Sequence, residues 1–131
     1  MNTSNSNQII LLLDDEQDIL TLFRDSLESW GYQTISFDNP IDALKYMNTD
    51  NNISKCSLII TDYRMPQMNG IDFIKKIREK SDTTLKIMLI SAFLKSGFTL
   101  QENLDTLKIN KIMEKPLSLP LLKEEVQKLL K

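Results

Sequence analysis

Four short stretches hold side chains whose types and spacing could do chemistry together. Asp14, Asp15 and Glu16 follow the apolar run IILLL, and Asp62 follows LIIT. Ser91 follows KIMLI and precedes the small Ala92, while Lys115 sits between Glu114 and Pro116. Carboxylates gathered in one cleft repel one another, so either one stays protonated or a cation sits among them. The chain has no histidine and a single cysteine, Cys56. Imidazole acid–base catalysis, imidazole metal ligation, a phosphohistidine of its own and a thiolate metal site are therefore excluded. Hard oxygen donors alone favour magnesium or manganese over zinc. Each residue also has a plain reading. Asp14 or Asp15 suits a helix cap, Asp62 a turn, and Lys115 an ordinary surface. Their joint placement at successive strand ends argues against four coincidences.

The elements that must position these groups follow from hydrophobic periodicity. Residues 9–13 are a continuous apolar run, as in a strand buried on both faces. From Asp18 to Trp30 the period becomes helical, with Ile19, Leu22, Phe23, Ser26, Leu27 and Trp30 on one side and Gly31 closing the helix. A second strand spans 33–37. Asn39-Pro40 starts a second helix, IDALKYM, through a capping side chain and a proline in the first turn. Asn and Asp crowd residues 48–52, a predicted loop. The third strand covers 58–61. A third helix begins near Gly70 and turns Ile71, Ile74 and Ile77 inward. The fourth strand covers 86–90, a helix lies around 99–107, and the fifth strand covers 111–114. Ser118 caps a last helix with Leu122, Val126 and Leu129 on its inner face. Short strands alternating with helices imply an α/β fold, a parallel sheet covered on both faces. In such sheets ligands bind beyond the carboxyl ends of the strands, where strand order reverses. The residues singled out above stand at those ends.

Bulk properties agree with this scheme. The 131 residues suit one domain, and 41% hydrophobic with 26% charged is ordinary globular composition. A formal net charge of -2 offers no broad basic field for nucleic acid, so direct DNA or RNA binding is not expected. IILLL is too short for a signal or membrane segment. The expected organisation is a disordered leader over 1–7 and one domain over 8–131. The lone thiol fits a reducing, cytoplasmic setting.

The motifs together resemble the receiver domain of two-component response regulators, of the kind found in single-domain chemotaxis regulators. Those motifs are Asp14-Asp15, Asp62-x-x-Met65-Pro66-x-Met68-x-Gly70, Ser91-Ala92 and Lys115-Pro116. The resemblance runs from about Gln8 to Leu130. It implies a flavodoxin-like doubly wound sheet of five parallel strands in the order 2-1-3-4-5. It further implies that Asp62 is the phosphoacceptor, taking a phosphoryl group from a phosphohistidine on a sensor histidine kinase or phosphotransfer protein. Asp14, Asp15, Asp62 and the Arg64 backbone carbonyl would hold Mg2+ (or Mn2+). Ser91 and Lys115 would bind phosphoryl oxygens, and the chain would catalyse its own aspartyl phosphorylation and dephosphorylation. Pro66 and Gly70 would shape the loop that aims the Arg64 carbonyl. Arg64 and Phe93 flank the site and would modulate water access. Ser91 and position 112 would form the switch.

The sequence departs from the family there. Ile112 stands where Tyr or Phe is usual, and the Ser91–Lys115 segment, with Phe93, Gly97 and Phe98, is slightly long. The expected output surface is the face built by the 99–107 helix, the fifth strand and the last helix. It would act by docking to a downstream protein target, by phosphorelay, or through a phosphorylation-dependent homodimer. Other readings fit less well. A flavin mononucleotide carrier needs a hydroxyl- and glycine-rich phosphate loop where this chain has DDEQD. A haloacid-dehalogenase-like phosphatase places its nucleophile after the first strand, in a D-x-D arrangement. A non-phosphorylated pseudo-receiver, acting as a binding module, has no need to keep every acidic, hydroxyl and lysine position.

Overall fold

A computed structural model describes residues 8–80, 84–92 and 100–131. The expected leader lies outside the described residues, as do Phe93, Gly97 and Phe98. Five strands, β1 (Ile9–Leu13), β2 (Gln33–Phe37), β3 (Cys56–Asp62), β4 (Lys86–Ser91) and β5 (Lys111–Glu114), form one sheet. The order is β2-β1-β3-β4-β5, and all neighbouring pairs are parallel. The strand order and the flavodoxin-like class are those expected from the sequence.

Strand residues alternate between two cores. Leu11, Leu13, Ile59, Ile87 and Leu89 join Ala43 and Met47 of α2 (Pro40–Met47), Phe73, Ile74 and Ile77 of α4 (Gly70–Arg78), and Leu107 of α5 (Leu100–Leu107). Ile10, Leu12, Leu58, Ile60, Met88 and Ile90 join Leu20, Phe23 and Leu27 of α1 (Gln17–Ser29) and Leu122 and Val126 of α6 (Leu119–Leu129). Both faces of the sheet are thus covered. This is why β1, β3 and β4 read as unbroken apolar runs rather than alternating ones.

Local details follow from side-chain chemistry. Asn39 caps α2 by accepting from Asp42 N at 2.9 Å, and Asn69 caps α4 by accepting from Asp72 N at 2.8 Å. Ser118 caps α6 through Leu121 N. Gly31 ends α1 at φ 97°, where a Cβ would be strained. Two features differ from the sequence-based expectation. A single helical turn, α3 (Asn52–Lys55), forms from the end of the expected loop, and β3 runs from Cys56 to Asp62, two residues longer at its amino end and one at its carboxyl end than expected. Leu22 is 46% exposed rather than inward. Leu20, Phe23 and Leu27 take the sheet-facing stripe, and position 22 is turned well away from it.

Candidate functional site

The sheet order reverses between β1 and β3, so their carboxyl ends open a crevice between neighbouring strands. Asp14 leaves β1 and Asp62 closes β3, at 5% and 6% exposure. Asp14 is fixed twice. Its N–H donates to the Phe37 carbonyl at 3.2 Å, and its Oδ1 accepts from Glu16 N at 2.9 Å. It therefore does not cap α1. Glu16 occupies the cap position, with no side-chain cap bond.

The turn after β3 is set by backbone bonds. Tyr63 N donates to the Ile90 carbonyl at 2.8 Å, and Gly70 N donates to the Tyr63 carbonyl at 2.7 Å. Gly70 is required by space. A Cβ there would meet the Asp62 carbonyl oxygen at 2.4 Å and Leu89 Cδ1 at 2.9 Å. Glycine thus lets α4 start directly against the backbone of Asp62.

Lys115 follows β5, positioned by its N–H donating to the Ser91 carbonyl at 3.0 Å. Its Nζ donates to Asp62 Oδ2 at 3.1 Å, Asp14 Oδ2 at 3.2 Å and Glu16 Oε1 at 3.2 Å. The three carboxylate atoms of Asp14, Glu16 and Asp62 lie within 4.8 Å of one another. Burial pushes the Asp14 and Asp62 carboxyls above their ordinary value, and Lys115 works against that rise. For Lys115 burial favours the neutral amine, but the Asp14 and Asp62 carboxylates outweigh it and hold the ammonium well above its usual range.

Beside this ion cluster lies a cavity of about 210 Å3, lined by Asp15, Glu16, Asp62, Arg64, Ala92 and Lys115. Of the site residues named from sequence, Asp15, Asp62, Arg64 and Lys115 line it, and Asp14 joins through Lys115. Ser91, 1% exposed, ends β4 behind Ala92. Ile112 pairs with Leu89 and packs, partly buried, on the α2–α4 core. Phe93 lies outside the described residues. Glu16, grouped with Asp14 and Asp15 from the sequence but given no role of its own there, is the third carboxylate on Lys115.

The donor set fits a small hard divalent cation. It consists of carboxylate oxygens, some buried and some exposed, and an ammonium already serves as their counter-charge.

The family model for the response regulator receiver domain matches residues 10–127. The chain belongs to that family. Its relatives include the response regulator receiver protein CpdR of Brucella abortus, 33% identical over 92% of this chain and 95% of that protein. Chemotaxis protein CheV1 of Helicobacter pylori is 30% identical over 85% of this chain, which spans only 35% of CheV1. Among solved structures, the receiver domain of Francisella response regulator 1452 superposes with a TM-score of 0.79. It is 27% identical, over 95% of this chain and 97% of that one. The receiver therefore has the fold and the acidic rim of a two-component signalling domain. Among its described residues no helix is long and apolar enough to cross a membrane.

Proposed function

We propose that this receiver accepts a phosphoryl group on Asp62 from a phosphohistidine of a sensor kinase or phosphotransfer protein. The observation that carries this is the position of Asp62. It is a buried carboxylate at the wall of a cavity, paired with an ammonium at 3.1 Å, at the reversal point of the sheet. A carboxylate is a weak nucleophile, so position must supply most of the advantage. One oxygen of Asp62 is held by Lys115, and the second attacks phosphorus. The P–O bond forms as the P–N bond to the donor imidazole breaks, and the electron pair leaves with that imidazole. Lys115 offsets charge on the phosphoryl oxygens.

Asp14, Asp15 and Asp62, with the Arg64 backbone carbonyl, are the residues that would hold Mg2+ or Mn2+. When bound, such an ion draws charge from the phosphoryl oxygens and reduces repulsion between the two reacting anions. Ser91 stands one strand away from Asp62, and its hydroxyl is the donor assigned to a third oxygen. Arg64 and Phe93 are assigned the control of water access to the acyl phosphate.

Phosphorylation adds about -1.5 to -2 charges. The response runs through Ser91 and Lys115 to Ile112 and the face of α5, β5 and α6, where a downstream protein or a second copy docks, or from which the phosphoryl group is relayed onward. Incubation with acetyl phosphate and Mg2+, followed by intact-mass measurement, tests the central step. Wild type gains the mass of one phosphate and Asp62→Asn gains none. A wild-type protein that never gains it overturns the reading.

A further inference from the structure

A lysine ammonium has three N–H donors. In this receiver all three are committed, to Asp14, Glu16 and Asp62, at 3.1 to 3.2 Å. Lys115 therefore cannot meet an incoming phosphoryl oxygen without releasing a partner. The three partners are not equivalent. The Asp14 and Asp62 side chains are 6% and 7% exposed, whereas that of Glu16 is 62% exposed. Releasing Asp14 strands a buried carboxylate beside Asp62. Releasing Glu16 returns its carboxylate to water at little cost. Glu16 also lines the same cavity as Asp62 and Lys115, so its carboxylate stands where an anion entering that cavity would approach the ammonium.

We infer that Glu16 is a positioning residue, a displaceable stand-in for the phosphoryl oxygen. It holds Lys115 over the site in the unphosphorylated protein and competes with the phosphoryl group for it. The inference rests on the phosphoacceptor reading given above. Competition has a definite sign. Removing the competitor favours the phosphorylated state and, with the cation ligands proposed above (Asp14, Asp15 and Asp62) untouched, leaves divalent-cation affinity near its original level.

The test uses beryllofluoride, a phosphoryl mimic that binds without chemistry, titrated in saturating Mg2+ and followed by amide chemical shifts. Three proteins are compared: wild type, Glu16→Gln and Glu16→Asp. Gln keeps the shape but removes the charge. Asp keeps the charge but withdraws it by one methylene from Lys115. The expected result is about two- to five-fold tighter binding in both variants, the range of a weak exposed ion pair. Mg2+ affinity in the absence of beryllofluoride should stay within about twofold. Unchanged or weaker beryllofluoride binding in Glu16→Gln overturns the inference. So does tightening in Glu16→Gln alone, which would signal a general charge effect. An order-of-magnitude loss of Mg2+ affinity also overturns it, by making Glu16 a metal ligand. Failure of wild type to bind beryllofluoride at all would instead overturn the phosphoacceptor reading itself.

Discussion

The two ends of β3 each carry a buried titratable side chain, and burial pushes both upward, yet only the Asp62 end opens on a charge-lined cavity among the described residues. At the carboxyl end, Asp62 lines a cavity and shares an ammonium with two other carboxylates. At the amino end, Cys56 is sealed among apolar side chains and its Sγ–H donates to the Leu58 carbonyl at 3.4 Å. The surroundings of the amino end are likewise closed by mutual pairing. Arg78 donates to the Leu107 and Lys108 carbonyls at 2.8 Å, and Asn110 N and Oδ1 pair with the backbone of Ile87 at 2.9 and 2.8 Å. These bonds run to backbone groups. At the rim, three acids share one base, and the excess negative charge is what a cation can offset. Burial alone therefore does not distinguish a functional end from a structural one. Access and an unequal charge count do.

The largest expected effect breaks that imbalance. In Lys115→Met the rim loses the ammonium proposed to offset charge on the transferred group. Phosphoryl uptake from acetyl phosphate at saturating Mg2+ should slow by about 10²-fold or more, the usual loss for one such electrostatic contact. A time course of phosphorylated mass measures this. A rate within about threefold of wild type would mean that Lys115 is structural and that the rim resembles the other end.

Next comes packing at the same rim. Gly70→Ala places a Cβ against the Asp62 backbone oxygen, which belongs to a central strand and cannot easily retreat. The expected cost is about 3 kcal/mol, the upper part of the overpacking range, with loss of phosphorylation as the acceptor shifts. Urea denaturation gives the first number and the mass assay the second. A destabilisation below about 0.5 kcal/mol would show that the loop yields freely, and the tight seat of Asp62 would lose its explanation.

Much of this rim is legible in the amino-acid sequence. Strand ends follow from apolar runs, and polar letters immediately after those runs must converge if the sheet is parallel and reverses between β1 and β3. The family resemblance supplies the strand order itself, which periodicity cannot give. Three features are not legible, each for a physical reason. Which of the three consecutive acids reaches Lys115 depends on the turn between β1 and α1, and the letters DDE do not encode that. Leu22 looks inward because the apolar letters of α1 outnumber the positions on one stripe, and packing chooses Leu20, Phe23 and Leu27. The one-turn α3 is set by tertiary context, because four residues are too few to nucleate a helix unaided.

The smallest predicted effect sharpens the contrast from the sealed end. Burial raises the Cys56 thiol from 9.0 to about 11. The sign follows from proton counts. Between those values the folded protein keeps its proton while the unfolded chain has lost it, so stability is fully present below pH 9 and falls as pH rises toward 11. A difference of that size corresponds to about 3 kcal/mol at most. Tyr32 and Tyr46 are also raised by burial and contribute to any alkaline loss, so the useful quantity is a difference. Cys56→Ala should be less stable than wild type at about pH 8, where only the packing of the sulfur is missing. The gap should then narrow by about 2 kcal/mol as both are followed by urea denaturation to about pH 11. Parallel curves would mean that water reaches the thiolate, and the amino end of β3 would then be no more sealed than the end that carries Asp62.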